Sequence, residues 1–296
     1  MKDAFSRYHP YVNFLYFFFV FAFSMVLMHP VCLAISLICG FIYSISLKGR
    51  KAVRFNFDFL LPVMLITALI NPAFNHEGIT ILTYLPTGNP LTLESIAYGI
   101  AASVMLSAVI CWFSCYNEIM TSDKFVYLFG RIIPSLSLVL SMALRFVPRF
   151  KAQIKLVSNS QRCIGRDVSS GGIIERSRHG ITILSIMITW ALENAIETAD
   201  SMKSRGYGLP GRTAFSIYRF EKRDKKALLV IALLGCFVLL GGLSGGLKWR
   251  YFPSMKGTIS GIYTISLWIA YMGLCLVPII INRQEERQWD ATQLEI

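Results

Sequence analysis

The feature that most constrains this fold is a set of long segments without a charged side chain. Residues 11–28 and 31–47 contain no Asp, Glu, Lys or Arg, and only His29-Pro30 separates them. Each segment is long enough to cross roughly 30 Å of hydrocarbon as an α-helix. The whole chain is 54% hydrophobic, more than one soluble core of 296 residues needs. The sequence therefore predicts an integral membrane protein.

Four more apolar segments complete the prediction of an all-α integral membrane protein with about six transmembrane helices. They are residues 55–70, 95–115, 227–247 and 258–281. A cleaved signal peptide is the alternative for the first segment, because Lys2 and Arg7 precede it, but no small-x-small cleavage site follows. The third segment is the weakest, because Asp58 and Pro62 interrupt it.

The charges in the loops predict the orientation. The amino terminus and residues 48–54 are basic, whereas residues 71–94 contain no Lys or Arg. Lys and Arg near the ends of membrane spans are retained on the cytoplasmic side. Both termini are therefore predicted to be cytoplasmic. The loop with Lys248, Arg250 and Lys256 is discordant, because six spans place it outside.

A strongly basic block divides the chain into three regions. Residues 116–226 carry 18 Lys and Arg against 9 Asp and Glu, which gives +9 of the chain's +12. The predicted regions are a four-span part (1–115), a cytoplasmic or interfacial part (116–226) and a two-span part (227–296). Because spans four and five flank the basic block, it must lie on the cytoplasmic side.

The basic block predicts two long amphipathic helices rather than a soluble domain. An apolar run at 132–146 continues into a basic helix that carries Lys151 and Lys155 and ends near Gly165. In the second helix, apolar residues recur with a period of about 3.6, and acidic residues lie on another side. The apolar positions are Ile181, Leu184, Ile188 and Ala191, and the acidic positions are Glu193, Glu197 and Asp200.

The second helix is predicted to end at Ser204-Arg205-Gly206, followed by Tyr207-Gly208 and Pro210. One interpretation is a helix cap, in which Arg205 complements the helix dipole and Gly206 adopts a positive φ. The other is a contact with a second protein, because a guanidinium offers a planar fork of five donors. The two interpretations are compatible.

The sequence lacks the motifs of several kinds of chemistry. The sequence has no GxxxxGK[ST], GxSxG or HExxH, and its seven cysteines and four histidines show no ligand spacing. We therefore predict no catalytic residue, no metal and no cofactor. If ATP drives this protein, another subunit must bind it. A nucleic-acid partner is also not expected, because the basic charges alternate with apolar faces and acidic residues.

Two other functions fit the sequence less well. An intramembrane enzyme would need a titratable group at depth, and Asp58 is the sole candidate. Asp58 follows Arg54 by four residues, so we expect it either to pair with Arg54 or to reach the interface. A self-sufficient channel or carrier would need inverted repeats and polar spans, and neither is evident.

Several separated segments resemble the transmembrane T component of energy-coupling factor (ECF) transporters. They are Tyr8-His9-Pro10, residues 120–125, residues 144–148, and residues 201–208 followed by Arg212-Thr213. Residues 204–206 are similar to the family's second Ala-Arg-Gly signature, with Ser204 in the Ala position. The first signature corresponds to residues 160–167, where Ile164 stands in place of the Arg and Gly165 is retained. Arg162 or Arg166 is expected to substitute.

The resemblance implies a non-catalytic scaffold in a bacterial cell membrane. In the family, two ABC-type ATPase subunits bind the Arg signatures, which here implies roles for Arg162, Gly165, Arg166, Ser204, Arg205 and Gly206. The apolar faces hold a small substrate-binding membrane protein, which implies a partner for Ile181, Leu184, Ile188 and Ala191. The expected cargo is a vitamin, metal ion or similar micronutrient. The sequence leaves the substrate open, because the partner sets it.

Overall fold

The fold is known from a computed structural model, and it is almost entirely helical. The structure describes residues 3–84, 90–130, 134–169, 171–207, 209, 218–257 and 261–294. The described residues do not include Lys2, Gly208, Pro210, Arg212, Thr213, 131–133 or 258–260. The chain forms two compact units, residues 1–124 with 218–296 (unit 1) and residues 125–217 (unit 2).

Unit 1 is a bundle of apolar helices. Its helices are α1 (Pro10–Val26), α2 (Pro30–Lys48), α3 (Arg50–Phe55), α4 (Leu61–Phe74), α5 (Leu93–Ile119), α9 (Lys222–Leu243) and α10 (Ile262–Leu294). A π-helical turn (Asn56–Leu60) joins α3 to α4. Helix α6 (Ser122–Gly130) leads into unit 2, which contains α7 (Pro134–Cys163) and α8 (Ile173–Ser204).

The structure also contains two short β-hairpins that the sequence did not predict. Strand β1 (Ile81–Tyr84) pairs antiparallel with β2 (Pro90–Thr92), with Ile81 opposite Thr92. Strand β3 (Trp249–Arg250) pairs with β4 (Lys256–Gly257). Both hairpins lie in connections between apolar helices, so the all-α class is unchanged.

In the part of the chain that the structure describes, six helices are long and apolar enough to cross a membrane, as predicted, but one member of the set differs. Five correspond to predicted spans: α2, the continuous rod of residues 50–74, α5, α9 and α10. The predicted first span, α1, has 17 residues and is about 25 Å long. The sixth long helix is α8, because its charged residues lie near its two ends and leave residues 180–192 uncharged.

Hydrogen bonds between side chains join the helices at the centre of unit 1. Trp112 on α5 donates its indole N–H to Ser36 Oγ on α2 at 3.0 Å. Ser36 Oγ lies 2.7 Å from Ser24 Oγ on α1. Tyr16 on α1 donates to the carbonyl of Cys275 on α10 at 3.1 Å. Because hydrocarbon offers polar groups no partner, such bonds favour close association of membrane helices.

The segment before α1 ties several helix ends together. The N–H of Phe5 donates to Asn282 Oδ1 on α10 at 3.0 Å. Asp224, buried in the first turn of α9, accepts hydrogen bonds from the backbone of His9 at 3.2 Å and Glu221 at 2.9 Å. The start of α1, the start of α9 and the later part of α10 therefore lie at the same end of the bundle.

The dipeptide His-Pro starts both α1 and α2. In each case the proline takes the first helical position, where a missing N–H costs no hydrogen bond. His9 Nδ1 accepts from the N–H of Tyr11, and His29 Nδ1 accepts from the N–H of Val31, each at 3.3 Å. The same local sequence therefore caps both helices.

Glycines allow α9 to approach its neighbours closely. A Cβ built at Gly235 would lie 2.7 Å from the ring of Phe19, and one at Gly241 would overlap the buried side chain of Leu267. Gly242 differs, because its nearest neighbouring atom, on Leu27, would lie 3.6 Å away. Gly241 is therefore required by packing and Gly242 is not.

We predict that Gly241→Ala lowers the thermal stability of the purified protein, whereas Gly242→Ala does not. Forcing a methyl into the packed contact costs about 1–3 kcal/mol. At Gly242 the same change removes a helix-weakening glycine, which favours the folded state by roughly 0.5–1 kcal/mol. Thermal unfolding in detergent tests the pair. Equal melting temperatures for the two variants would contradict the assigned contact.

Candidate coupling surface

Helices α7 and α8 meet in a small apolar core. They contain 30 and 32 residues, which corresponds to lengths of about 45 and 48 Å. Val157 on α7 is buried against Ile183 and Met187 on α8. Beside them, the rings of Phe150 and Trp190 pack edge to face with centroids 5.3 Å apart. The core draws on about two turns of each helix.

The two helix ends point away from this core in opposite directions. Phe150 contacts Trp190, while the later residue Val157 lies with the earlier residue Ile183, so the helices are antiparallel. The end of α7 at Cys163 is about 9 Å beyond Val157. The end of α8 at Ser204 is roughly 25 Å beyond Met187. The two ends are therefore separate surfaces and cannot act as one site.

The end of α7 is closed by a Schellman cap. Gly165 has φ +76°. Its N–H donates to the carbonyl of Arg162 at 3.0 Å, and the N–H of Arg166 donates to the carbonyl of Gln161 at 3.0 Å. These two bonds satisfy carbonyls that the helix end would otherwise leave unpaired. The cap exposes the preceding residue, Ile164, of which 66% is accessible.

The end of α8 has the same cap. Gly206 has φ +75°. Its N–H donates to the carbonyl of Lys203 at 2.9 Å, and the N–H of Tyr207 donates to the carbonyl of Met202 at 3.0 Å. Arg205 therefore stands where Ile164 stands on α7, in agreement with the alignment of the two signatures. Ser204 is exposed, and its Oγ donates to the carbonyl of Ser201 at 2.9 Å.

Capping by backbone bonds leaves the side chain of Arg205 exposed. Within the described residues, the Arg205 guanidinium forms no hydrogen bond or ion pair. Gly206 and the backbone bonds make the cap, which satisfies the helix end without the guanidinium. Gly206 therefore adopts the positive φ of the cap interpretation, and the contact of Arg205 with a second protein stays a prediction.

The structure separates the two arginines proposed to replace the missing one. Arg162 Nε lies 3.3 Å from Asp167 Oδ2. Ser169 holds the same carboxylate through its hydroxyl at 2.7 Å and its N–H at 3.0 Å. The Ser169 bonds, followed by the arginine charges, lower the pKa of Asp167. Arg166 is exposed and has no ion pair among the residues that the structure describes. Arg166 is therefore the freer of the two.

An apolar stripe runs along the side of α8 that faces away from α7. Ile181, Leu184 and Ile188 are all exposed, with 59% of Leu184 and 52% of Ile188 accessible, and Ala191 is partly buried at the edge. The structure extends the stripe to Leu192 and Ile196, which are also exposed. The sequence interpretation missed these two because it followed the rhythm through Ala191 instead. We call Ile181, Leu184, Ile188, Leu192 and Ile196 the α8 stripe.

The structure assigns no chemistry to Asp58. The side chain is exposed, and within the described residues it forms no ion pair, so the pair with Arg54 is not formed. The alternative, a carboxylate at the interface, fits its exposure. In the described ranges, no three His, Cys, Asp or Glu side chains are grouped to hold a metal. All seven cysteines are free thiols, and Cys163 and Cys236 are exposed.

The fold and these surfaces define a multi-pass membrane protein with a second unit, in which α7 and α8 pack against each other and leave apolar side chains exposed. The sequence profile of the family described as cobalt transport protein (CbiQ) matches residues 5–215. The chain therefore belongs to this family.

Individual relatives support the same assignment. The chain is 37% identical over 112 residues to the energy-coupling factor transporter transmembrane protein EcfT of Lactobacillus helveticus. The corresponding proteins of Leuconostoc gelidum and Lacticaseibacillus paracasei are 35% and 34% identical over 112 and 110 residues. These matches cover 36–38% of this chain and 38–42% of each relative. The recognition as a component similar to EcfT and CbiQ is confirmed.

Two adjacent residues of α8 offer a matched test of the described faces. Met187 is 4% exposed against α7, and Ile188 lies in the stripe. We predict that Met187→Asp separates α7 from α8, because an unpaired carboxylate in an apolar core costs several kcal/mol. Ile188→Asp should leave the pair intact. Limited proteolysis of unit 2 in the intact chain measures both, and equal protease resistance would show that the faces are assigned incorrectly.

Proposed function

We propose that this chain is the transmembrane energy-coupling subunit of an ECF-type ABC importer. It joins two ABC-type ATPase subunits to a small substrate-binding integral membrane protein and transmits ATP-driven motion between them. The cargo is a vitamin, metal ion or similar micronutrient. The observation that carries the proposal is that α7 and α8 end in the same cap, and each presents an exposed residue ahead of the glycine.

The two caps suit two copies of a similar partner. Each cap fixes the backbone, so the residue before the glycine projects at a defined angle and loses little backbone freedom on binding. The ends lie on opposite sides of the α7–α8 core, which provides one docking position for each of two ATPase subunits. Arg205 offers a planar fork to carboxylates or backbone carbonyls. On α7 the apolar Ile164 takes this position, flanked by Arg166.

The α8 stripe supports a partner in the membrane. It contains five large aliphatic side chains that α7 leaves uncovered, and contiguous apolar surfaces of this kind mark interaction sites. Residues 180–192 carry no charge, so this part of the helix can lie in or against the bilayer. An apolar membrane protein fits such a surface better than a soluble one. We assign the stripe to the substrate-binding subunit.

The adjacency of core and stripe gives a route for coupling. Met187 lies in the core shared with α7, and the next residue, Ile188, lies in the stripe. A rigid displacement of either capped end would therefore move the surface that holds the membrane partner. ATP is bound and hydrolysed by the partner subunits. The selectivity for cargo resides in the substrate-binding subunit.

We place both termini on the cytoplasmic side of a bacterial cell membrane, and residues 116–226 in a cytoplasmic or interfacial position. The bundle end that holds the amino-terminal segment also carries Lys48, Arg50, Lys51 and Arg54. This end is therefore the more basic, as expected of a cytoplasmic surface. Accessibility labelling of single cysteines from each side of the membrane tests the placement.

We predict that Arg205→Ala abolishes transport while ATP hydrolysis by the assembled complex continues. Truncating a buried interfacial arginine commonly costs about 2 kcal/mol or more. Arg205→Lys should rescue only partly, because an ammonium group cannot reproduce the fork. Uptake and hydrolysis are measured together in proteoliposomes. Lys203→Ala, two residues earlier, is the matched control for loss of charge near the same helix end.

Normal transport by Arg205→Ala would show that Arg205 is not needed for coupling and that this helix end is only a cap made by Gly206. Equal defects in Arg205→Ala and Lys203→Ala would instead indicate a general charge effect.

For the first signature we predict that Arg166→Ala weakens ATPase binding more than Arg162→Ala does. The reason is that Arg162 is already engaged by Asp167, whereas Arg166 is exposed. The double variant should bind most weakly. Pull-down of the ATPase pair against increasing salt measures all three. Unchanged ATPase binding by the double variant would show that Ile164 and the backbone, not the two arginines, make this contact.

We predict that replacing Leu184 and Ile188 together with Asp releases the substrate-binding subunit and keeps the ATPases attached through Arg205. Charges in the stripe oppose burial against an apolar partner. The matched control is Glu193→Lys with Glu197→Lys, which changes charge on the acidic side of the same helix. Copurification in detergent reads out each subunit. Complete assembly by the Leu184/Ile188 variant would remove the stripe from the proposal.

A further inference from the structure

A cleft of about 700 Å³ lies on the surface of unit 1, between the start of α9 and the later part of α10. This volume is within the range of small-ligand sites. The lining includes Arg223, Lys226 and Val230 of α9 and Val277, Ile280 and Gln284 of α10. Lys226 and Gln284 are exposed, and so are Val230 and Ile280, of which 45% and 47% are accessible. The cleft is therefore open along both its polar and its apolar part.

Helices α9 and α10 are antiparallel, so residues far apart in sequence lie at the same level. Three neighbouring pairs fix the register: Gly241 with Leu267, Leu234 with Gly273, and Arg223 with Glu285, whose Nη1 and Oε1 atoms are 3.6 Å apart. The same register places Val230 opposite Val277 and Lys226 opposite residues 281–284. Arg223 lies about 10 Å from Val230 along the helix axis. Both walls therefore change from polar to apolar at the same level.

That level is where both helices leave the uncharged part of the sequence. On α9, residues 227–247 carry no charge after Lys226. On α10, residues 262–282 carry no charge, and Arg283 is the first charged residue. Charged side chains are costly in hydrocarbon and collect near the ends of membrane spans. The apolar part of the cleft therefore faces hydrocarbon, and the polar part faces the headgroup region.

The charges that line the cleft leave one cation for a ligand. Arg223 is already paired, because its guanidinium lies 2.9 Å from Glu221 and 3.6 Å from Glu285. Lys226 is exposed and forms no ion pair within the described residues. Arg223 and Glu285 balance each other, so the charged side chains of the lining have a net charge of about +1 from Lys226. An anionic group complements this charge.

We propose that this cleft binds one phospholipid through its phosphate and one acyl chain. The phosphate accepts hydrogen bonds from Lys226 and from the amide of Gln284. The acyl chain packs along Val230, Val277 and Ile280. Polar and apolar side chains succeed one another along the cleft in the same order as the phosphate and the acyl chain of a lipid. Basic residues at the end of a membrane helix attract such headgroups.

Two other occupants complement only part of the cleft. A soluble phosphate would contact Lys226 but would leave the apolar part uncovered. An apolar helix of another membrane protein would cover Val230 and Ile280 but would offer no anion to Lys226. The phospholipid complements the charge and the apolar part together.

The test uses the purified full-length chain in detergent, with native mass spectrometry as the readout. The probes are a short-chain phosphatidylglycerol and the diacylglycerol with the same acyl chains, which lacks the phosphate. Lys226→Gln should weaken phosphatidylglycerol binding about fivefold, the contribution of one cation near a headgroup, and should hardly change diacylglycerol binding. Lys226→Arg should retain most of the affinity. Lys225→Gln is the matched control, because it removes the same charge from the adjacent exposed residue, which does not line the cleft.

The apolar part is tested separately from the charge. Val230→Trp fills it and should weaken the binding of both probes severalfold. Leu229→Trp is the matched control, because Leu229 is adjacent and 58% exposed but does not line the cleft. Both substitutions are at exposed positions, and size-exclusion profiles verify that each variant is folded.

Three results would overturn the proposal. The first is wild-type phosphatidylglycerol binding by Lys226→Gln or Val230→Trp, or equal losses in the two control variants. The second is binding of glycerol phosphate, which lacks acyl chains, as tight as that of the lipid, which would indicate a soluble-anion site. The third is a Val230→Trp variant that retains lipid but loses a copurifying membrane protein, which would assign the apolar part of the cleft to that protein.

Discussion

The contact of Val157 with Ile183 and Met187 is the interaction on which unit 2 depends. Two helices, each about 45 Å long or more, are held together by a core that spans about two turns of each. The α8 stripe lies on the opposite side of α8 from this core, so α7 leaves it exposed. The small contact also leaves the ends of both helices available for other molecules.

Different interactions hold the helices of unit 1 together. Surrounded by hydrocarbon, its helices gain little from burying aliphatic side chains, so polar contacts and small residues hold them together. The bonds of Trp112, Ser36 and Tyr16 and the close approach at Gly241 are of this kind. Asn56 departs from the pattern, because its amide is buried without a partner among the described residues.

The capped ends of α7 and α8 show how local sequence and backbone geometry combine. Gly165 and Gly206 both adopt positive φ and close the same two hydrogen bonds. This equivalence relates Ile164 to Arg205 without reference to any other protein. It also shows that an arginine is dispensable for the cap itself, because the α7 cap forms with isoleucine. We propose that Arg205 acts instead through a contact with another protein.

The sequence by itself determined the membrane class, five of the long apolar helices and the glycine-capped ends of α7 and α8. Those features follow from uncharged runs, helical periodicity and the freedom of glycine at positive φ, which are all local properties. Only the tertiary structure decided which apolar residues of α8 pack and which remain exposed. Met187 and Ile188 are adjacent and both apolar, so periodicity alone leaves open which of them contacts α7.

The local turn after Gly165 decided that Arg162 is engaged while Arg166 is free of ion pairs among the described residues, because it brings Asp167 beside Arg162. The bounds of the helices decided that α8 joins the set of long apolar helices while α1 is shorter than a full span. The isolated amide of Asn56, in contrast, depends on tertiary structure. Whether a buried polar group finds a partner depends on the neighbouring helix, and the order of residues along one chain does not specify that neighbour.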